Sequence, residues 1–261
     1  MFDFNVLKIR YWIMILFVIS FAVYGNTFRN QWTYDDIPVV AENTDSQSLA
    51  GFVQNSRPGR PMRELTFVLD HALFDKNPAG YHLQQILWHF ANGGLLLALF
   101  LMLGIKPLYA SLAVTMFLVH PLQAESVANI SHRKELLALF FALASIIFYI
   151  KSTACRGWRC LLLVFCGLIS FAGAVLSNQT AITAPLVIIL YEVLYLSKKE
   201  RIVTKRPTLL FGALLLTAIC FGYIFRALLS YNELLSIYSK NSFIASKSFL
   251  PLWMADLKAF G

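Results

Sequence analysis

Two adjacent carboxylates, Asp35 and Asp36, stand in the stretch Gln31-Trp32-Thr33-Tyr34-Asp35-Asp36-Ile37-Pro38, directly after the first long apolar run. A carboxylate beside aromatics can take the proton of a hydroxyl. The same pair can equally be a solvated cap on a membrane segment. A second polar set, His82, Gln85, His89 and Asn92, has spacings of 3, 4 and 3, which share one helical face. At 1.5 Å per residue the set covers about 15 Å. Polar side chains at that depth line a cavity, such as a substrate path, or hydrogen-bond between helices. His82 and His89 lie two turns apart, a weak metal pair. A third set is basic: His132, Arg133 and Lys134. Arg offers a fork of donors to phosphate and Lys a point charge. Lipid headgroups are the other ligand such a cluster attracts.

These residues must be held by membrane helices. The 261 residues are 58% hydrophobic and only 14% charged, with mean hydropathy +0.63. Soluble domains run to about 45–50% apolar and about 25% charged. The composition predicts an all-α, multi-pass membrane protein in one domain over residues 1–261. Apolar runs predict spans at about 11–24, 81–103, 108–119, 135–150, 158–176, 181–196 and 208–229. Several are shorter than the roughly 20 residues of a simple span, as expected where helices line a wet cavity. The first run has no small-x-small cleavage site at the right place and reads as an uncleaved span. Residues 25–80 form a long first loop with seven acids. Such long loops are usually functional or disordered. Within it, Leu65, Val68, Leu69 and Ala72 give 61–74 an apolar side, so a short helix on the membrane surface is expected. Glu125, Asn129, His132 and Arg133 likewise predict an amphipathic surface helix after His120-Pro121.

The net charge of +8 does not indicate nucleic acid, because the basic residues sit in short clusters between apolar runs. With the N-terminus in the cytoplasm, the inside receives Lys8, Arg10, Lys106, Lys151, Arg156, Arg159 and the cluster Lys198–Arg206. That fits the positive-inside rule and puts Asp35 and Asp36 outside. The sequons at Asn129 and Asn178 hug the membrane and carry little weight as glycosylation sites. Cys155, Cys160, Cys166 and Cys220 form no CxxC pair and read as small core or lipid-facing residues.

An acid pair, a basic cluster and a polar-lined helix on one face suit transfer of a group from a lipid-linked phosphate to an acceptor hydroxyl. The carboxylate takes the proton, fixed cations hold the leaving phosphate, and one direct displacement inverts the anomeric centre. The motifs also carry a resemblance. Tyr34-Asp35-Asp36 after the first span resembles the first outer loop of GT-C glycosyltransferases. Arg60-Pro61 with Leu65-Thr66-Phe67 continues it, followed by Gly80-Tyr81-His82-Leu83 and Leu87-Trp88-His89. Further on, His120-Pro121-Leu122-Gln123-Ala124-Glu125-Ser126 through Arg133-Lys134-Glu135, then Thr183-Ala184-Pro185 to Tyr191-Glu192, extend it. The set resembles the membrane part of the transmembrane-and-tetratricopeptide O-mannosyltransferases and their bacterial relatives.

The resemblance implies a polyprenyl- or dolichyl-phosphate sugar donor, such as a mannose donor, and a protein or glycan acceptor among membrane lipids. It implies a base at Asp36 or Asp35, Asp36 being favoured because Ile37-Pro38 follows it. The other acid would hold the acceptor or a divalent cation; no cofactor is otherwise indicated. Arg60, His82, Gln85, His89, His120, Glu125, His132, Arg133 and Lys134 are the candidate substrate contacts. The membrane would be the bacterial inner membrane or the endoplasmic reticulum. Ser177-Asn178-Gln179 lacks the acid common before the family's Thr-x-Pro stretch, the tetratricopeptide repeats are absent, and the end at Gly261 reads as a truncation. A transporter using the His82–Asn92 stripe, or an inactive scaffold, are the alternatives.

Overall fold

A computed structural model describes residues 6–54, 60–155 and 157–195. The expected span 208–229, the cluster Lys198–Arg206, Arg156 and Cys220 lie outside the described residues. Nine helices occur among the described residues, with no strand. They are α1 (Val6–Tyr24), α2 (Leu49–Gln54), α3 (Pro61–Phe74), α4 (Pro78–Met102), α5 (Pro107–Val119), α6 (Gln123–Ala128), α7 (Arg133–Thr153), α8 (Trp158–Ser177) and α9 (Ala184–Tyr195). The protein is an all-α, multi-pass membrane protein. Four stretches, Arg10–Arg29, Pro78–Met102, Ile130–Thr153 and Trp158–Ser177, are long and apolar enough to cross a bilayer. The expected runs 108–119 and 181–196 fall on shorter apolar helices.

Local chemistry sets the boundaries. Pro61, Pro78 and Pro107 open α3, α4 and α5, where a missing N–H costs nothing. Past α4, Gly104 adopts φ 81 and the Ile105 N–H reaches back to the Phe100 carbonyl at 3.0 Å. This is a Schellman stop, which only a glycine enters cheaply.

The helices alternate in direction. Leu16 packs with Leu97 and Leu101, while Tyr24 packs with Ile86, so α1 runs antiparallel to α4. Gln85 meets Arg133, Asn92 meets Leu136, and Leu99 packs with Leu143 and Ile146, so α4 and α7 run parallel. The buried small residues Gly167, Ser170, Gly173, Ala174 and Ser177 let α8 lie close against α7; a Cβ on Gly173 would stand 3.2 Å from Phe141. The end of α1 and the starts of α4 and α7 therefore share one end of the bundle, and Arg10, Lys106, Lys151 and Arg159 occupy the other.

Helix α3 corrects a simple picture of amphipathicity. Leu65, Leu69 and Leu73 are exposed, whereas Glu64, Phe67 and Asp70 are buried. The apolar stripe faces outward and the acids face the protein, as suits a helix bathed in lipid.

Candidate functional site

The acid pair is built on a strained turn. Tyr34 has φ 37, uncommon for a residue with a side chain, and is 90% exposed. The Asp36 N–H donates to the Thr33 carbonyl at 2.7 Å, and a single π turn, Ile37–Ala41, follows. Tyr34 is thus the pivot of the turn, and Pro38 lies within the π turn after it. The reversal sends the two carboxylates opposite ways: Asp35 is exposed and Asp36 is fully buried.

Asp36 is tied down. Its Oδ1 accepts the Ser131 N–H at 2.8 Å, and its Oδ2 accepts the Thr33 Oγ1 at 3.2 Å and the Thr33 N–H at 3.4 Å. Ser131 is available because the expected continuous surface helix breaks. Asn129 is extended between α6 and the turn Ile130–His132, and its Oδ1 caps that turn by accepting the Ser131 N–H at 3.1 Å. The Ser131 carbonyl in turn accepts from Arg63 at 3.3 Å, and Arg63 pairs with Glu64 at 2.6 Å. The first loop is thereby clamped to the start of α7.

Arg133, expected to meet phosphate, serves elsewhere. It is fully buried. It donates to Gln85 Oε1 at 2.9 Å, to the Tyr81 carbonyl at 3.1 Å, to Thr66 Oγ1 at 3.4 Å, and to Asp70 in a short ion pair. Its guanidinium also lies 4.7 Å from the Phe67 ring centroid. With four of its five N–H donors engaged, the buried guanidinium joins α3, α4 and α7. Burial pushes the Asp70 carboxyl up, against the pull of Arg133.

The α4 stripe is likewise drawn into packing. Gln85 donates to the carbonyls of Asn129 at 2.8 Å and Ser126 at 3.3 Å, satisfying the break after α6. His89 Nε2 meets the Leu118 carbonyl at 3.1 Å, and Asn92 donates to the Leu136 carbonyl at 2.9 Å. Gln85 and His89, expected along a substrate path, are helix-to-helix contacts, which also removes the main support for a transport pathway. His82 differs: it is 1% exposed and neither ring nitrogen has a partner.

The remaining candidates surround the start of α7. Lys134 is half-buried, has no ion pair or hydrogen bond among the described residues, and lies within electrostatic reach of Arg60, Arg63, Glu135 and Asp35. Arg60 keeps a buried Nη1 without a partner. Burial and then neighbouring Arg63 push its guanidinium down, with Glu135 and Glu64 opposing. His132 Nδ1 lies 3.7 Å from Glu125 and 3.9 Å from Glu135. His120 stands apart, exposed at the end of α5, its Nδ1 accepting the Leu122 N–H at 3.2 Å. No group of three or more His, Cys, Asp or Glu among the described residues could hold a metal ion.

No family model and no solved structure matches the chain. Among curated proteins, the chain is 30% identical to the protein O-mannosyl-transferase TMTC2 of Homo sapiens over 155 residues. That is 54% of this chain and 18% of the relative. It is 30% identical to TMTC3 of Mus musculus over 146 residues, 50% of this chain and 16% of the relative. The resemblance is to the TMTC O-mannosyltransferases. Tmtc1 of Drosophila melanogaster extends it at 28% identity over 191 residues, 67% of this chain and 22% of that protein. The chain spans about a fifth of the length of the TMTC proteins it matches.

Arg63 and Asp70 escape a reading of motifs alone, and Thr66 and Ser131 lie within quoted motifs without a role assigned to them. The signal for Asp70 is present in α3: Glu64, Phe67, Asp70 and Phe74 recur on the face opposite the leucines. Once those leucines are assigned to lipid, the acids must turn inward and need a partner.

Proposed function

We propose that this chain belongs to the GT-C-like membrane domain of a glycosyltransferase. It would move a hexose such as mannose from a polyprenyl- or dolichyl-phosphate to a hydroxyl of a protein acceptor. The site faces the outer or lumenal side, with the N-terminus in the cytoplasm. One observation carries the reading: an open carboxylate, Asp35, lies within electrostatic reach of Lys134, which is itself within reach of Arg60, and neither cation has an ion pair among the described residues.

Asp35 is the base in this reading, rather than Asp36. A base must be reachable by the proton it removes, and Asp36 is buried against Ser131 and Thr33. The acceptor O–H gives its proton to Asp35. Its oxygen attacks the anomeric carbon opposite the phosphate, and the bond from that carbon to the phosphate oxygen breaks. The electron pair leaves with the lipid phosphate, and the configuration inverts. Lys134 and Arg60 meet the charge growing on the leaving phosphate. Both sit at the first turns of helices, α7 and α3, whose N-termini favour anions. His132, held near Glu125 and Glu135, borders the site.

The test uses the full chain in lipid nanodiscs with a polyprenyl-phosphate mannose and a hydroxyl-bearing peptide. Asp35→Asn keeps shape but removes the proton acceptor, and turnover falls by about 10²–10⁴. Lys134→Ala and Arg60→Ala each raise the donor KM, by roughly tenfold for one lost charge-assisted contact. Full turnover in Asp35→Asn would exclude this mechanism.

A further inference from the structure

Two polar groups at the inner wall of the site have complementary shortages. A carboxylate offers about four acceptor positions. Asp36 has two occupied on Oδ2 by Thr33 and one on Oδ1 by Ser131, which leaves one open. An imidazole carries at least one N–H in either protonation state. That of His82 has no acceptor although the residue is 1% exposed. A buried donor left without a partner is unfavourable, and native chains seldom keep one without a use.

The two groups are within electrostatic reach but beyond hydrogen-bond distance of each other. His82 lies within electrostatic reach of Asp36 and of Arg133. It follows Tyr81, whose ring meets Trp32 edge-on with centroids 4.9 Å apart. Val40, Tyr81 and Ile130 share one buried cluster. Tyr81 and Ile130, the residues before His82 and Ser131, are thus packed together with Val40, four positions after Asp36. What the fold leaves unmade is the last hydrogen bond among three neighbours, a pattern expected where contacts tighten only when substrate is bound.

We infer that His82 is a positioning residue that donates its ring N–H to the open Oδ1 position of Asp36 and so fixes the turn presenting Asp35. The inference rests on the transfer reading above. No proton changes hands in it: Asp36 stays an acceptor and Asp35 remains the group that takes the substrate proton. His82 acts through Asp36 by holding the strained Tyr34 turn in one register against α4. Its loss lowers kcat and leaves the donor KM, set by Lys134 and Arg60, nearly unchanged.

The full chain in nanodiscs, with histidine ¹⁵N-labelled, provides a test independent of turnover. A hydrogen-bonded imidazole N–H signal is expected once polyprenyl-phosphate mannose is added. It is lost in His82→Leu and displaced in Asp36→Asn. In transfer assays His82→Leu lowers kcat by roughly tenfold or more, the scale of one lost bond to a charged group. His82→Gln, which restores an N–H, recovers most of it. An imidazole signal indifferent to Asp36→Asn overturns the inference, and so does His82→Leu turning over as well as His82→Gln. If His82→Leu does not fold, the Asp36→Asn spectrum decides alone. A wild-type chain with the Asp36-dependent signal but no transfer supports the pairing and sinks the transferase reading instead.

Discussion

Asp35 and Asp36 are neighbours in the chain with opposite surroundings, and substitution separates their roles. Asp36→Ala removes the acceptor of the Thr33 N–H and hydroxyl and the shorter of the two bonds of the Ser131 N–H, which keeps only Asn129 Oδ1. Losing a buried acceptor of this kind costs about 1–3 kcal/mol. Asp35→Ala removes an exposed side chain with no hydrogen bond among the described residues, and such changes stay within about 0.5 kcal/mol. Thermal unfolding in detergent should therefore shift clearly for Asp36→Ala and barely for Asp35→Ala. Equal shifts would contradict the inward assignment of Asp36. The acid pair and its aromatic neighbours are legible in the sequence. Which acid turns inward is not, because it depends on a left-handed Tyr34 and on an amide 95 positions away.

Helix α3 and its ties show what periodicity conveys and what it leaves open. Its bounds follow from Pro61 and the leucine spacing, but the direction of each face depends on whether water or lipid lies outside. The Arg133–Asp70 pair depends on that direction. Arg133→Ala strands Asp70 in the interior, a loss of about 3–5 kcal/mol. Arg133→Lys keeps the charge but cannot span Gln85, Thr66, Asp70 and the Tyr81 carbonyl together, so it recovers only part. The corner between α3 and α4 is equally specific: a Cβ on Gly80 would stand 2.1 Å from Phe74 Cγ. Gly80→Ala is expected to destabilise by about 1–3 kcal/mol, and adding Phe74→Ala should lessen that cost. Midpoints of unfolding for the single and double variants measure both. If Gly80→Ala alone leaves the midpoint unchanged, the packing of this corner is other than described.

For the whole molecule, the bundle separates the end that carries Asp35 and Asp36 from a basic end. Arg10, Lys106, Lys151 and Arg159 lie opposite Asp35, and in the orientation proposed above, which follows the positive-inside rule, that basic end is cytoplasmic. A single cysteine near Asn43 should react with an impermeant reagent applied to intact cells, while one near Lys199 should not. The reverse pattern would put the site on the wrong side for the donor and acceptor proposed. The all-α membrane class is legible from composition alone. The uses of Gln85, His89 and Arg133 are not, because a polar side chain inside a bilayer has the same spacing whether it meets a ligand or a neighbouring helix.

The clamp between the first loop and the start of α7 has a consequence for synthesis. Asp36 waits for Ser131, Arg63 for Ser131, and Asp70 for Arg133, partners 95, 68 and 63 residues further along. At about 5–20 residues per second, the ribosome needs roughly 5–20 s to deliver the farthest of them. Until then the first loop has none of these three ties. Nascent chains arrested with residues before 125 emerged should be cut by protease within the loop, and chains arrested well past 153 should resist. Protection that arrives before the start of α7 has emerged would show that the loop closes on something else.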